Sequence, residues 1–408
     1  MQDSTFEMEE TSPPSKRCRD QALDYLAATP SYEEFLDRYL LPLKPCLIAM
    51  PELSLWGASQ RWLKQTDDGP SPDIDGLERA FRDSQVDVAF CEETDEYGGQ
   101  RRDRMLFSEF ATIWRENPNA KLYLKDFHFC IAGQSAAHQT PEIFADDWLN
   151  SYSISKSRGA DDFRFVYLGQ DGSNTNFHRD VYGSHSWSCS LAGTKRWRFL
   201  APEFMHLVRD ETTGDMPAGL FLPGIESQYP RITNARERVL TIWQYPGEAV
   251  FVPSGWLHEV KNFGETLSVN HNWANTACLH RMAGALQDEV RLGQSALDGF
   301  NLGSPEEVAI LVQDLTVRNF GWGWKEFFEM IKWRYTSRDR GRNAIPRVPI
   351  KQEVAWEEAP DDLRPSPKVE GQIVSQVIQD WLGSNDSKYL PQAKAVAEDV
   401  LKHVQGVD

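Results

Sequence analysis

Residues 246–258 read PGEAVFVPSGWLH, and this stretch decides the fold. Pro246 and Gly247 predict a turn, residues 248–252 predict a buried strand, and Pro253 and Gly255 predict a second turn ahead of His258. Similar short β-rich runs bounded by turn residues lie at 163–168, 187–191, 196–200, 239–243 and 266–273. Many short strands separated by turns predict a mainly β domain built as a barrel or jelly roll.

Helical patterns flank this β region on both sides. Ser31 with Glu34, and Ser304 with Glu307, form capping-box patterns ahead of apolar residues at helical spacing. Residues 210–236 hold few apolar runs and predict a long insert between strands. The predicted organisation is a disordered tail over 1–20, a helical and mixed region packing on the barrel over 21–150, the β core over 151–278, helices over 279–336, a charged proline-rich linker over 337–370 and further helices over 371–408.

The overall composition narrows the class of protein. The chain has 408 residues, of which 40% are hydrophobic and 12% aromatic, so it can bury a core. Its formal net charge of −18 argues against nucleic acid as a partner, because phosphate backbones are repelled. The six cysteines are scattered without a CxxC pair, which predicts free thiols and argues against a zinc finger.

Targeting and membrane signals are missing from the sequence. The first 20 residues contain no apolar segment of the secretory type, and no run approaches the ~18 apolar residues of a membrane helix. We therefore expect a cytoplasmic protein that does not span a membrane, and a nuclear pool is compatible with the same observations.

His178-Arg179-Asp180 is the candidate metal motif. Chance alone predicts about one His-x-acid pair in a chain with nine histidines and 61 acidic residues, so the pair by itself carries no weight. Residues two apart on a strand project from the same face. His258 follows His178 by 80 residues, at the end of the deciding stretch, which resembles the run that carries the distal metal ligand in cupin-type double-stranded β-helices. Together the three side chains predict a two-histidine, one-carboxylate site, which leaves open coordination positions on Fe(II).

Lys195 is the candidate partner of an anionic cosubstrate. In the run GTKRWRF (193–199), strand periodicity places Lys195 on one face with Trp197 and Phe199. A buried ammonium on an apolar face is costly unless an anion pairs with it. The alternative turns Arg196 and Arg198 inward, which would expose two aromatic rings.

Other polar residues near these motifs are candidates with an open alternative. Thr175 and Tyr123 are predicted hydroxyl donors, and the alternating polar set at 266, 268, 270 and 272 fits either a polar barrel interior or a solvent-facing side. We expect His185 and His271 to be structural. Three C-terminal tryptophans are expected to pack helices, with an aromatic homodimer face as the alternative: Trp322, Trp324 and Trp333.

The motifs taken together resemble the JmjC hydroxylases, and within them the subfamily called jumonji domain-containing protein four. The resemblance covers residues 30–335 and is carried by LYLKDF (122–127), DWLN (147–150), FRFVYL (163–168), residues 177–187 with His178-Arg179-Asp180, KRW (195–197), VPSGWLH (252–258) and SVNHNW (268–273). It implies a double-stranded β-helix of the cupin-like jelly-roll type with N- and C-terminal helices. Ser186 departs from some related hydroxylases, which have asparagine there, and residues 337–408 are not clearly matched.

The resemblance also implies a function. Fe(II) would be held by His178, Asp180 and His258, while Lys195, Thr175 and Tyr123 would hold the far carboxylate of 2-oxoglutarate, with Asn270 near this cosubstrate. With O2 as the oxidant, the implied reaction is hydroxylation of a lysine side-chain carbon in the eukaryotic translation release factor. Two alternatives remain open from the residues: an N-methyl-lysine demethylase with the same iron chemistry, and a non-catalytic cupin scaffold.

Overall fold

The computed structural model describes residues 13–14, 22–96, 99–210, 213–300, 302–339 and 359–406. The strands are β1 Asp24–Leu26, β2 Cys46–Ala49, β3 Leu63–Thr66, β4 Gly69–Pro72, β5 Gln85–Thr94, β6 Gln100–Leu106, β7 Leu122–Phe127, β8 Arg164–Gly169, β9 Asn174–Arg179, β10 His185–Leu200, β11 Leu240–Gln244, β12 Glu248–Val252 and β13 Leu257–Trp273. The helices are α1 Tyr32–Phe35, α2 Gly57–Arg61, α3 Ile74–Phe81, α4 Phe107–Glu116, α5 Trp148–Ser157, α6 Ile232–Arg236, α7 Leu279–Leu297, α8 Pro305–Phe320, α9 Trp324–Asp339, α10 Pro367–Leu382, α11 Asp386–Tyr389 and α12 Pro391–Gln405.

Eleven of these strands form one large mixed sheet, and β3 with β4 forms a separate hairpin. The main path runs β1-β2-β12-β10-β13-β8-β7-β5-β6, while β11 pairs with β10 and β9 pairs with β13. This sheet with flanking helices confirms the predicted jelly-roll fold class. Strands β2 and β5–β7 extend the sheet into the region before residue 150, beyond the predicted β core.

The two longest strands, β10 and β13, form the spine of the sheet and pair along almost their whole length. The runs predicted at 187–191 and 196–200 are therefore one strand, interrupted by a register shift between Ser190 and Thr194. Gly193 lies at this irregularity with a φ of 68°, and a Cβ there would meet the Glu265 carbonyl oxygen at 2.5 Å. Glycine is needed because this backbone conformation and close approach exclude a side chain.

The second half of β13 shows how alternation separates the core from the barrel interior. Leu267, Val269 and Trp273 pack in the main hydrophobic core, together with rings from the N-terminal region such as Phe35 and Phe144. The intervening polar residues face the other way and form hydrogen bonds inside the barrel. Of the two orientations predicted for these polar residues, the structure shows the one that faces the barrel interior.

Two further cores support the barrel. The insert after β10 folds into a satellite core with Leu220, Tyr229 and Ile232, which includes Phe177 and Leu257 from the metal-site strands. The C-terminal helices form their own core, in which Trp322 and Trp324 are buried as expected. These two rings therefore do not offer the surface that the aromatic dimer alternative requires.

The flanking helices begin where the caps predict. Ser31 accepts a hydrogen bond from the Glu34 amide at the start of α1, and Ser304 forms a complete capping box with Glu307 at the start of α8. The predicted linker begins inside α9 and ends inside α10, and its central residues 340–358 lie outside the described residues. The predicted disordered tail also lies outside them, except for residues 13 and 14. Within the described ranges, no helix combines the length and apolar character needed to cross a bilayer.

Candidate metal and cosubstrate site

The structure brings His178, Asp180 and His258 together inside the barrel. One potential ligand atom from each residue lies within 4.8 Å of the other two. His178 on β9 and His258 on β13 are direct cross-strand partners, and their ring centroids are 4.2 Å apart. Asp180 follows β9 in extended backbone, so its side chain projects on the same side as His178.

The hydrogen bonds of both imidazoles leave the same nitrogen available. His178 Nδ1 lies 2.8 Å from the Asn176 carbonyl oxygen, and His258 Nδ1 lies 3.3 Å from the Trp256 carbonyl oxygen. Each Nδ1 therefore carries the proton and donates to the carbonyl two residues earlier, which leaves Nε2 free to coordinate. Burial, together with the neighbouring His178, lowers the pKa of His258 to about 4, so this ring is a neutral ligand at physiological pH.

The carboxylate of Asp180 is held by two donors. Ser186 Oγ donates to Oδ2 at 2.8 Å, and Asn272 Nδ2 donates to Oδ1 at 2.9 Å. Two imidazoles and one fixed carboxylate in this arrangement fit Fe(II) and leave part of the coordination sphere to other ligands. The donor set therefore suits the predicted metal.

Lys195 lies deeper in the barrel, as predicted for a cosubstrate anchor. Its side chain is 1% exposed, and Nζ donates to Ser268 Oγ at 2.6 Å. Burial lowers the pKa of Lys195 to about 7, because no carboxylate among the described residues pairs with the ammonium. Along β13, its cross-strand partner Asn262 is four residues from His258, roughly 13 Å at the rise of a strand. Lys195 is therefore a buried cation, further along β13 than the triad, that is available to pair with an anionic ligand in this interior.

The other three predicted cosubstrate residues surround the same interior. The Tyr123 hydroxyl is hydrogen-bonded to Asn262 and Thr175, and burial raises its pKa above the ordinary tyrosine value. Asn270 Oδ1 accepts hydrogen bonds from Ser268 Oγ at 2.8 Å and Ser188 Oγ at 3.2 Å. The structure thus places all seven predicted site residues along one interior, in a metal layer and a deeper polar layer.

Comparisons with known proteins identify the family of the chain. Residues 32–277 match the model of the cupin-like domain family. The chain is 34% identical over 315 residues to the human 2-oxoglutarate and iron-dependent oxygenase JMJD4, which covers 74% of this chain and 73% of that protein. The chain belongs to the JmjC family of cupin-like oxygenases. Iron and 2-oxoglutarate are accordingly its cofactor and cosubstrate.

Two other JmjC relatives show the breadth of the family. JmjC domain-containing protein 1 of Schizosaccharomyces pombe is 35% identical over 312 residues, 70% of this chain and 67% of that protein. The arginine-specific demethylase JMJ20 of Arabidopsis thaliana is 37% identical over 267 residues, 60% of this chain and 55% of that protein. The JmjC fold is therefore shared by relatives whose names differ in the reaction.

Two histidines near the JmjC site are structural, as expected. His185 Nδ1 accepts a hydrogen bond from the Ser254 amide at 3.0 Å, and this residue is fully buried. His271 packs against Trp187 with ring centroids 4.0 Å apart and contacts His138, in the core outside the barrel interior. Neither ring reaches the metal layer.

Sequence reasoning missed several polar residues that the JmjC site uses. Ser186 was left without a role, and neither Asn262 nor Tyr167 was singled out. Tyr167 lies beside Lys195, with its ring centroid 5.8 Å from Lys195 Nζ, and its hydroxyl donates to Asp126. Strand alternation was the available signal, because Tyr167 pairs directly with Ser268 across β8 and β13.

Proposed function

We propose that this JmjC oxygenase hydroxylates a lysine side-chain carbon of the translation release factor, with Fe(II) bound by His178, Asp180 and His258. The observation that carries the proposal is the complete interior, in which the triad and the buried Lys195 lie in one barrel. The similarity to JMJD4 proteins supports the iron- and 2-oxoglutarate-dependent chemistry, whereas the choice of substrate rests on the resemblance of the motifs to the jumonji domain-containing protein four subfamily. A cytoplasmic location, a release-factor partner and a homodimer remain predictions made from the sequence.

The residues of the chain divide the chemistry between two layers. The bound iron supplies the O2-dependent oxidation that converts 2-oxoglutarate to succinate and CO2 while one oxygen atom enters a substrate C–H bond. The two imidazoles offer their Nε2 atoms as ligands, and Asp180 offers a carboxylate whose orientation is fixed. Lys195 and the hydroxyl of Tyr123 are positioned to bind the far carboxylate of the cosubstrate.

The main contribution of the protein is therefore positioning. The cosubstrate is held between a deep cation and the metal layer, which leaves the outer side of that layer for the substrate carbon. The aromatic rings of Phe165 and Tyr167 line the same strand, β8, with centroids 6.4 Å apart. Because Tyr167 lies beside the deep cation Lys195, we propose that Phe165 is the ring of this pair that contacts the aliphatic part of the substrate side chain.

Demethylation is the second candidate reaction, because JMJ20 is named as an arginine-specific demethylase. The two reactions share the iron and cosubstrate layers, so the residues described above serve either one. They differ in product: hydroxylation adds one oxygen atom to the substrate, whereas demethylation removes a methylene unit. Product mass therefore separates the two candidates.

The test is to incubate the purified protein with Fe(II), ascorbate, 2-oxoglutarate and recombinant release factor in air, followed by peptide mass spectrometry. Reactions without 2-oxoglutarate and with Asp180→Ala serve as controls. A gain of one oxygen on a lysine, absent from both controls, would support the proposal. Consumption of 2-oxoglutarate with an unchanged release factor would overturn the substrate, and the absence of any consumption would favour the scaffold alternative.

A further inference from the structure

Both oxygens of the Asp180 carboxylate are hydrogen-bonded by side chains from one cross-strand pair. Ser186 on β10 lies directly opposite Asn272 on β13. Ser186 donates to one carboxylate oxygen and Asn272 to the other, at 2.8 and 2.9 Å. Charge-assisted bonds to both oxygens fix the plane of the carboxylate before any metal arrives.

The amide of Asn272 is itself fixed on the loop after the metal motif. Its second contact is Ser184 Oγ at 3.3 Å, so Nδ2 bridges Asp180 and Ser184. An amide nitrogen has two hydrogens, and both are used here. The Asn272 side chain therefore has one orientation that satisfies the loop and the carboxylate together.

The backbone of Asn272 is anchored by the DWLN segment, residues 147–150, which the sequence comparison with JmjC hydroxylases left without a role. Asn150 is fully buried, and its Nδ2 donates to the Asn272 carbonyl oxygen at 2.9 Å and to Asp147 Oδ2 at 2.6 Å. Its Oδ1 accepts from the Phe163 amide at 2.7 Å. Asp147 also accepts from the Asn150 amide at 2.9 Å and so caps α5.

We propose that Ser186 and Asn272 are positioning residues for the metal-binding carboxylate, and that Asn150 with Asp147 holds Asn272 in register from helix α5. The inference rests on the assignment of Asp180 as a metal ligand. It adds a set of hydrogen-bonded residues that surrounds the metal ligands and extends from Asp180 to the start of α5. Outer partners of this kind set metal affinity because they orient the ligands.

The test is calorimetric titration of the metal-free protein with Mn(II), without 2-oxoglutarate or substrate. Ser186→Ala and Asn272→Ala should each weaken Mn(II) binding by roughly 10- to 100-fold, and Ser186→Thr, which keeps the hydroxyl, should restore it. Ser190→Ala is the matched control: Ser190 is fully buried on the same strand, and its hydroxyl has no hydrogen-bond partner among the described residues. Its Mn(II) affinity should equal that of the wild type.

His178→Ala in the same titration separates this inference from the metal assignment. If His178→Ala weakens binding while Ser186→Ala and Asn272→Ala bind Mn(II) like the wild type, the positioning roles are overturned and the metal assignment stands. If His178→Ala binds normally, the metal assignment fails and the inference fails with it. Circular dichroism checks folding, and if Asn272→Ala does not fold, the comparison of Ser186→Ala with Ser186→Thr decides.

Discussion

The affinity for 2-oxoglutarate should fall as pH rises through 7, and Lys195 is the reason. Its ammonium is buried beside the neutral hydroxyl of Ser268, and desolvation lowers its pKa to about 7. A dicarboxylate that pairs with Lys195 requires the protonated form. Above pH 7 the free protein has lost that proton and must regain it on binding, so binding becomes weaker.

The size of the effect follows from the fraction of protein that is protonated. With a pKa of about 7, roughly three quarters of Lys195 carries its proton at pH 6.5 and about 3% does at pH 8.5. The apparent affinity is proportional to the fraction of protein in which Lys195 is protonated, so the dissociation constant should rise about 25-fold between these two pH values. Lys195→Met removes the cation, which should weaken binding at pH 6.5 by about 2–5 kcal/mol and abolish the pH dependence.

The assay is calorimetric titration of the Mn(II)-loaded protein with 2-oxoglutarate at pH 6.5, 7.5 and 8.5. Lys125→Met is the matched control, because Lys125 is also buried and burial lowers its pKa to about 8, but its Nζ donates to Gln100. This control should keep the pH dependence of the wild type. A flat profile in the wild type, or an unchanged slope in Lys195→Met, would refute the role of Lys195.

Three further substitutions test other parts of the structure. Tyr123→Phe should raise the KM for 2-oxoglutarate by about 2- to 10-fold in a succinate assay, as expected for the loss of one hydrogen bond, and should change kcat little. An unchanged KM would contradict the proposed contact between Tyr123 and the cosubstrate. Phe177→Ala should lower the free energy of unfolding, measured by chemical denaturation, by about 3–5 kcal/mol, because the Phe177 ring packs in the core of the insert beside the strand of His178. A decrease of less than about 1 kcal/mol would contradict that packing. Glu370→Ala should lower the free energy of unfolding by about 3–5 kcal/mol and lower the Tm, because it removes the buried carboxylate 3.2 Å from Arg334. An unchanged Tm would show that this ion pair does not stabilise the packing of α9 against α10.

The metal-binding residues could be predicted because two separate patterns in the sequence indicate the same site. The deciding stretch gave β12, the turn and His258 in their observed places, and the spacing of two residues placed His178 and Asp180 on one side. Neither signal was sufficient alone. Their combination works because metal ligands must share one interior, which excludes most other arrangements of the same residues.

The outer layer of the site was not predictable to the same degree. The role of Ser186 depends on its pairing with Asn272, 86 positions away, and strand register over that distance is not encoded in either segment. The alternation of polar residues around Asn270 was consistent with side chains that face either the barrel interior or solvent. Only the strands that pack against this segment determine which of the two occurs. Asn150 belongs to a recognised motif, but its function depends on a backbone carbonyl of β13.

The N-terminal part of the sheet shows a different difficulty. Strand β2 is a short apolar run, CLIA, and strand β7 begins with a shorter one, LYL. Periodicity alone does not distinguish such runs from buried helix segments. Their place in the sheet is set by pairing with β12 and β8, which lie far along the chain. The region was therefore predicted as helical and mixed, although several of its strands belong to the large sheet.

The most direct test of the account is to measure succinate formation by the wild type, His178→Ala and Asp180→Ala in the presence of Fe(II), 2-oxoglutarate and release factor. Each variant is first checked for native circular dichroism. We predict Fe(II)-dependent succinate from the wild type and none above background from either folded variant, because each lacks one of the three ligands. Succinate formation near the wild-type rate by folded Asp180→Ala or His178→Ala would contradict the assignment of the metal site.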